Sequence, residues 1–241
     1  MKAAVQTTPA SPAGGLRLHH CVSARSFRPL WMLEELQAAY TLVMWPFPPR
    51  AVARDFLAVN PLGTVPFLEH GETRMSESSA MCQYLSRRLD PANRQGLAVA
   101  EHEAEFGAWL NWLFAGEATL TFPQTLVLRY GRFESPQRRQ PQVADDYARW
   151  FLSRLRGVAT ALQGHDWLCA DRFTAADVSV GYALMLGEHI GLLPRYPVPV
   201  QDYWARLQSR DGFRRALAAE QGAARAQGVS SLPAPQTLPG E

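Results

Sequence analysis

The sequence predicts an α/β domain in the order βαβαββα, followed by an all-helical domain. Short alternating or apolar runs separated by turn residues occur before residue 90, and long runs at helical spacing occur after it. No internal repeat of fixed period joins the two textures. The expected boundaries are 16–90 for the first domain and 97–221 for the second. Residues 1–15 and 222–241 are rich in Ala, Pro, Gly, Ser and Gln. Such segments bury too little apolar surface to offset chain entropy, and both ends are expected as flexible tails.

Residues 16–20 alternate apolar and polar positions, and Phe27, Leu30, Leu33, Leu36 and Tyr40 then fall at helical spacing, giving a strand and a helix. Residues 40–45 (YTLVMW) read as a second strand, 51–59 as a short helix stopped by Asn60-Pro61, and 65–68 as a third strand. His70-Gly71-Glu72 turns the chain so that 73–75 returns antiparallel. Met81, Tyr84, Leu85 and Leu89 mark a helix over 77–89. In the second part helices are expected at about 101–120, 143–162, 175–190 and 200–219. Pro123, Pro136 and Pro141 bracket a long connection between the first two of these.

Composition narrows the function. The 24 basic and 22 acidic side chains nearly cancel, and 23 of the basic ones are arginines scattered in ones and twos, so no nucleic-acid partner is expected. Cys21, Cys82 and Cys169 are far apart and form no Cys-x-x-Cys pair, which suggests neither a disulfide framework nor a zinc site and fits a reducing cytoplasm. The first fifteen residues lack a continuous apolar stretch, and no run of about 18 apolar residues follows, so neither secretion nor a membrane span is expected. His19 and His20 are neighbours on a strand and face opposite sides, which argues against a shared metal.

Three polar segments can carry chemistry. The first, Cys21-Val22-Ser23-Ala24-Arg25-Ser26-Phe27-Arg28-Pro29, joins the first strand to the amino terminus of the first helix. Free N–H groups, the hydroxyls of Ser23 and Ser26 and the guanidinium groups of Arg25 and Arg28 there could hold a thiolate, or Ser23 and Ser26 could simply be helix caps. The second, Asn60-Pro-Leu-Gly-Thr-Val-Pro-Phe, puts Pro66 in a strand, where it cannot donate to the ladder. A cis bond would turn Val65 outward to pair with an extended peptide ligand; a trans edge-strand proline is the alternative. The third, Met75-Ser-Glu-Ser-Ser-Ala, opens a helix: Glu77 could take an ammonium and Ser78 a carboxylate, or the cluster could be a cap.

Together with Phe173-Thr174-Ala175-Ala176-Asp177, these segments resemble the glutathione transferase superfamily over about residues 16–220. The resemblance implies a thioredoxin-like first domain and a homodimer. It also implies glutathione as co-substrate without a metal, and transfer of its thiolate to a small apolar electrophile in a cytoplasmic detoxification role. By it, Val65 and Pro66 would pair with the cysteinyl backbone of glutathione, Glu77 and Ser78 would take the γ-glutamyl end, and Arg50 would reach the glycine carboxylate unless it is simply a solvated surface arginine. Thr174 and Asp177 would form a structural capping box stapled by Phe173 and Val178. Where tyrosine-type members carry their tyrosine, this chain has His20. Ser23 matches serine-type classes, whereas alignment to cysteine-type classes places Arg25 at the cysteine position with Ser26 following. Aromatic surface for the electrophile is expected from Trp109, Trp112, Phe114 and Phe122, unless these are core. A glutathione-dependent disulfide or peroxide reductase and a non-catalytic binding module are the alternatives.

Overall fold

The computed structural model describes residues 15–237. Four strands, Leu16–His20 (β1), Thr41–Met44 (β2), Phe67–His70 (β3) and Thr73–Met75 (β4), form one sheet in the order β2-β1-β3-β4. β1 runs parallel to β2 and antiparallel to β3, which is antiparallel to β4, so Leu18 stands between Leu42 and Leu68. A parallel pair needs a crossover, and α1 (Phe27–Glu35) supplies it. α2 (Pro49–Val52) and α3 (Phe56–Val59) lie between β2 and β3, and α4 (Ser78–Arg88) closes this thioredoxin-like domain.

The helix expected over 51–59 is two short ones. α2 starts at Pro49, where a missing N–H is tolerated, and the chain leaves the helix at Ala53 (φ −136°) before Phe56 anchors α3 in the core. β3 begins at Phe67 because Pro66 has no N–H to offer the ladder.

The second domain is helical. α5 (Phe106–Ala115) continues through a π-helical turn, Gly116–Thr121, into α6 (Phe122–Leu128) and a second π-helical turn, Arg129–Phe133. Much of the expected long connection is therefore helix. Pro123 falls in the first turn of α6, where proline is accommodated. α7 (Pro141–Ala161), α8 (Ala175–His189), α9 (Val198–Gln208) and α10 (Asp211–Ala226) follow. The single helix expected over 200–219 is broken at Arg210, whose backbone is extended (ψ 138°).

The two domains share a core. Trp31 of α1 meets Phe213 of α10 edge-on at 5.0 Å and lies 5.8 Å from Phe173. α8 passes so close that a Cβ on Gly181 would sit 2.8 Å from the Trp31 ring. Arg210 grips Glu35 with two nitrogens at 2.8 and 2.9 Å. Thr174 caps α8, and Asp177 accepts from the Thr174 N–H at 2.8 Å and the Tyr203 hydroxyl at 2.7 Å, completing the capping box.

The carboxy-terminal tail expected from residue 222 is corrected as far as residue 237. α10 runs on to Ala226 with Ala224 buried. The Gln227 amide donates to Leu42 O and accepts from Met44 N, both at 2.9 Å, so it pairs with the open edge of β2. Ala234 N then donates to Val22 O at 2.8 Å. Small residues fit this edge closely, which composition does not convey. The rest of the two expected tails, residues 1–14 and 238–241, lies outside the described residues. Among the described residues no helix is long and apolar enough to cross a membrane.

Candidate functional site

A cleft of about 790 Å³ opens where the carboxyl end of β1 meets the helical domain. Ser23, Ala24 and Arg25 form its floor, and Arg50, Val65, Pro66, Glu77 and Ser78 line the wall of the first domain. The loops that present these residues are fixed by short-range chemistry. Asn60 accepts from Leu62 N at 3.1 Å and donates to Thr64 O at 2.8 Å, organising the turn before Val65. Gly63 (φ +60°) lets that turn approach α2, since a Cβ there would lie 2.7 Å from the Cβ of Arg50. The Val65–Pro66 bond is cis, as is Phe47–Pro48. Glu77 occupies the N-cap of α4 but its side chain makes no capping bond, leaving the helix start facing the cleft.

The structure does not bring Ser26 to the cleft. Its side chain is fully buried, and its hydroxyl accepts from Cys21 N at 3.3 Å and approaches Cys21 O at 3.4 Å, tying down the loop from beneath. Ser23 does line the cleft, in a left-handed conformation (φ +54°) that non-glycine residues seldom adopt. Its N–H and hydroxyl both donate to the buried carboxylate of Glu220, at 2.9 and 3.2 Å. Cys21 is buried, and burial alone pushes its thiol far above the usual range, so it is no nucleophile. His19 turns to Trp45 and Glu69 while His20 turns to Glu220 on the opposite face.

Glu117 and Tyr182 were not singled out from the sequence, and Arg28 was noted only as one of two guanidinium groups in the loop. Glu117, in the first π-helical turn, accepts from Arg25 at 2.7 Å and from Arg28 at 2.6 Å. Burial pushes its carboxyl up, but the two guanidinium groups outweigh this and hold it below the usual range. Arg28 is wholly buried. It also donates to Ser78 Oγ (3.1 Å), Gly116 O (2.9 Å), Thr121 Oγ1 (2.7 Å) and Ser179 O (3.0 Å), and lies over the Tyr182 ring at 4.4 Å. One guanidinium therefore joins the start of α4 to the π-helical turn. Tyr182 lines the cleft beside Ser23, and burial pushes its hydroxyl up to about 12.

The far wall is apolar, formed by Phe47, Val52, Leu128, Phe133, Leu186 and Pro235, with Phe47 and Phe133 5.8 Å apart across the domain boundary. The expected aromatics do not contribute. Trp109 is buried core, Trp112 packs against that core, and Phe114 and Phe122 are exposed away from the cleft lining. Among the described residues there is no group of three or more His, Cys, Asp or Glu that could hold a metal.

Residues 22–88 match the family model for the glutathione S-transferase amino-terminal domain. The chain is 27% identical over 172 residues to glutathione S-transferase hmp2 of Hypomyces subiculosus, covering 68% of this chain and 79% of that protein. It is 29% identical over 170 residues to glutathione S-transferase GstA of Escherichia coli O157:H7, covering 69% and 78%. The fold is similar to that of Ure2p in complex with glutathione, with a TM-score of 0.75 at 21% identity, over 87% of this chain and 95% of the other.

Proposed function

We propose, since this chain belongs to the glutathione transferase superfamily, that its cleft binds glutathione and directs the thiolate at an apolar electrophile. The observation that carries this reading is the convergence of two sets of residues on one cleft. Val65, Pro66, Glu77, Ser78 and Arg50 form a wall suited to a short, charged peptide, and Ser23 and Arg25 face the place its thiol would occupy. Val65 pairs with the cysteinyl backbone, and Glu77 takes the α-ammonium. Ser78 with the start of α4 takes the α-carboxylate, and Arg50 takes the glycine end. The electrophile packs against Phe47, Phe133 and Leu186.

Ser23 is the hydroxyl assigned to the thiol, with the positive charge of Arg25 beside it. Lowering a thiol pKa from about 8.5 by two units requires about 2.7 kcal/mol of differential stabilisation, within reach of one charge-assisted hydrogen bond and a nearby cation. The assembly proposed is a cytoplasmic homodimer serving detoxification.

Titration of the bound thiol by its ultraviolet thiolate absorbance tests the assignment. Ser23→Ala should raise the pH midpoint while glutathione affinity changes little, and Ser26→Ala should leave the midpoint in place. An unchanged midpoint in Ser23→Ala would overturn the role of Ser23. Turnover of a mixed disulfide without any of an aryl halide would favour a reductase in which two glutathiones act in turn, because Cys21 is sealed from the cleft.

A further inference from the structure

We propose that Glu220, buried beneath the Cys21–Ser26 loop, is the positioning residue that takes up the glutathione thiol proton through Ser23. This rests on the reading of the cleft as a glutathione site. Glu220 stands in the buried stripe of α10 with Phe213, Ala216 and Ala224, where every other member is apolar. Burying a carboxylate costs several kcal/mol unless donors surround it, and the donors around this one come from the end of β1 and the loop that follows it.

The donors are asymmetric. Oε2 receives both Ser23 N–H and His20 Nε2, each at 2.9 Å, whereas Oε1 receives the Ser23 hydroxyl, at 3.2 Å. The first oxygen anchors the loop and holds Ser23 in its left-handed conformation. The second, with a lone pair to spare, is where a proton can land. Because the Ser23 hydroxyl already points its hydrogen at Glu220, it offers lone pairs to the cleft. It therefore accepts a proton from a thiol only as it gives one up.

The step balances without any further reagent. The S–H bond breaks and sulfur keeps the electron pair. The proton joins Ser23 Oγ while the hydroxyl's own hydrogen crosses to Glu220 Oε1, and the new hydroxyl donates to the thiolate. After sulfur has bonded to the electrophile, the proton returns through Ser23 to the atom or leaving group that has become negative. The other groups facing Glu220 are His20 from β1 and Tyr182 and His189 from α8. Tyr182 also feels the charges of Arg25, Arg28 and Glu117. The contact of His20 Nε2 with Glu220 Oε2 is an ion pair only when the imidazole is protonated.

The test begins with the unaltered protein. Glutathione is added in weakly buffered solution, and thiolate absorbance is read together with proton release to an indicator dye. The expected result is thiolate formation with clearly less than one proton released for each thiolate. One proton per thiolate would overturn the proposal. Glu220→Gln keeps the size of the side chain and should raise the thiolate midpoint by about one unit. In the Ser23→Ala background the same change should add nothing further. A midpoint that moves in Ser23→Ala but not in Glu220→Gln would reduce Glu220 to a purely structural role and leave the glutathione reading standing. No binding of glutathione to the unaltered protein would sink both.

Discussion

Replacing Arg28 with methionine tests the joint between the two domains. Methionine approximates the length of the aliphatic stem and removes five hydrogen bonds and the contact with Tyr182. Breaking a buried ion pair by removing one partner costs about 3–5 kcal/mol. The lower end applies here, because Glu117 keeps Arg25 at 2.7 Å and Gly116 O keeps the Thr121 hydroxyl at 2.7 Å. A loss of about 3 kcal/mol, at about 2–4 °C per kcal/mol for a chain of this size, lowers the Tm by roughly 6–12 °C in a thermal melt. Glutathione affinity, followed by calorimetry below the melt, should fall as well, because Ser78 Oγ loses the donor that orients it. Arg28→Lys should rescue little, since one nitrogen cannot reach Ser78, Thr121 and Ser179 together. A Tm within about 3 °C of the unaltered protein would refute the argument that this guanidinium holds the domains together.

Two further outcomes follow from the same geometry. Glu117 is held below the usual carboxylate range, so the stability it contributes is present above that range and lost as pH falls below it through the lowered value; Glu117→Gln should therefore flatten the fall in stability below about pH 5 in denaturant titrations. Ending the chain after Val229 removes Pro235 from the cleft wall along with the bonds Ala234 N makes to Val22 O and Gln236 O accepts from Arg132; KM for bulky electrophiles should drop by about threefold while glutathione affinity changes less, as steady-state kinetics across acceptors of increasing size would reveal.

The parts of the site legible in the sequence are those fixed by local chemistry. Asn60 and Gly63 set the turn before Val65, a polar cluster opens α4, and a strand-to-helix loop carries Ser23 and Arg25, each visible within a dozen residues. What escaped depends on partners far away in the chain. Ser23 and Ser26 are equivalent in sequence, and only packing turns one to the cleft and the other beneath the loop. The π-helical turns each shift the helix face, so a regular helical spacing does not carry across them. Phe133, inside the second of these turns, lines the cleft, whereas Phe114 lies in α5 ahead of both turns and does not. For Glu220 a signal did exist. Phe213, Ala216, Glu220 and Ala224 mark one helical face, and a lone acid in such a stripe is a buried charge in search of a donor.

The supply of that acid from α10 has an evolutionary consequence. Residues 22–88 carry the loop at the cleft floor, yet what lies under its serine is encoded nearly two hundred residues downstream. Substitutions in α10 can therefore retune the loop's chemistry while every residue of the loop stays the same. Relatives that share the loop can diverge in reactivity through the other end of the chain. A chimera that grafts this first domain onto a relative's helices inherits the serine but not the carboxylate it bonds to.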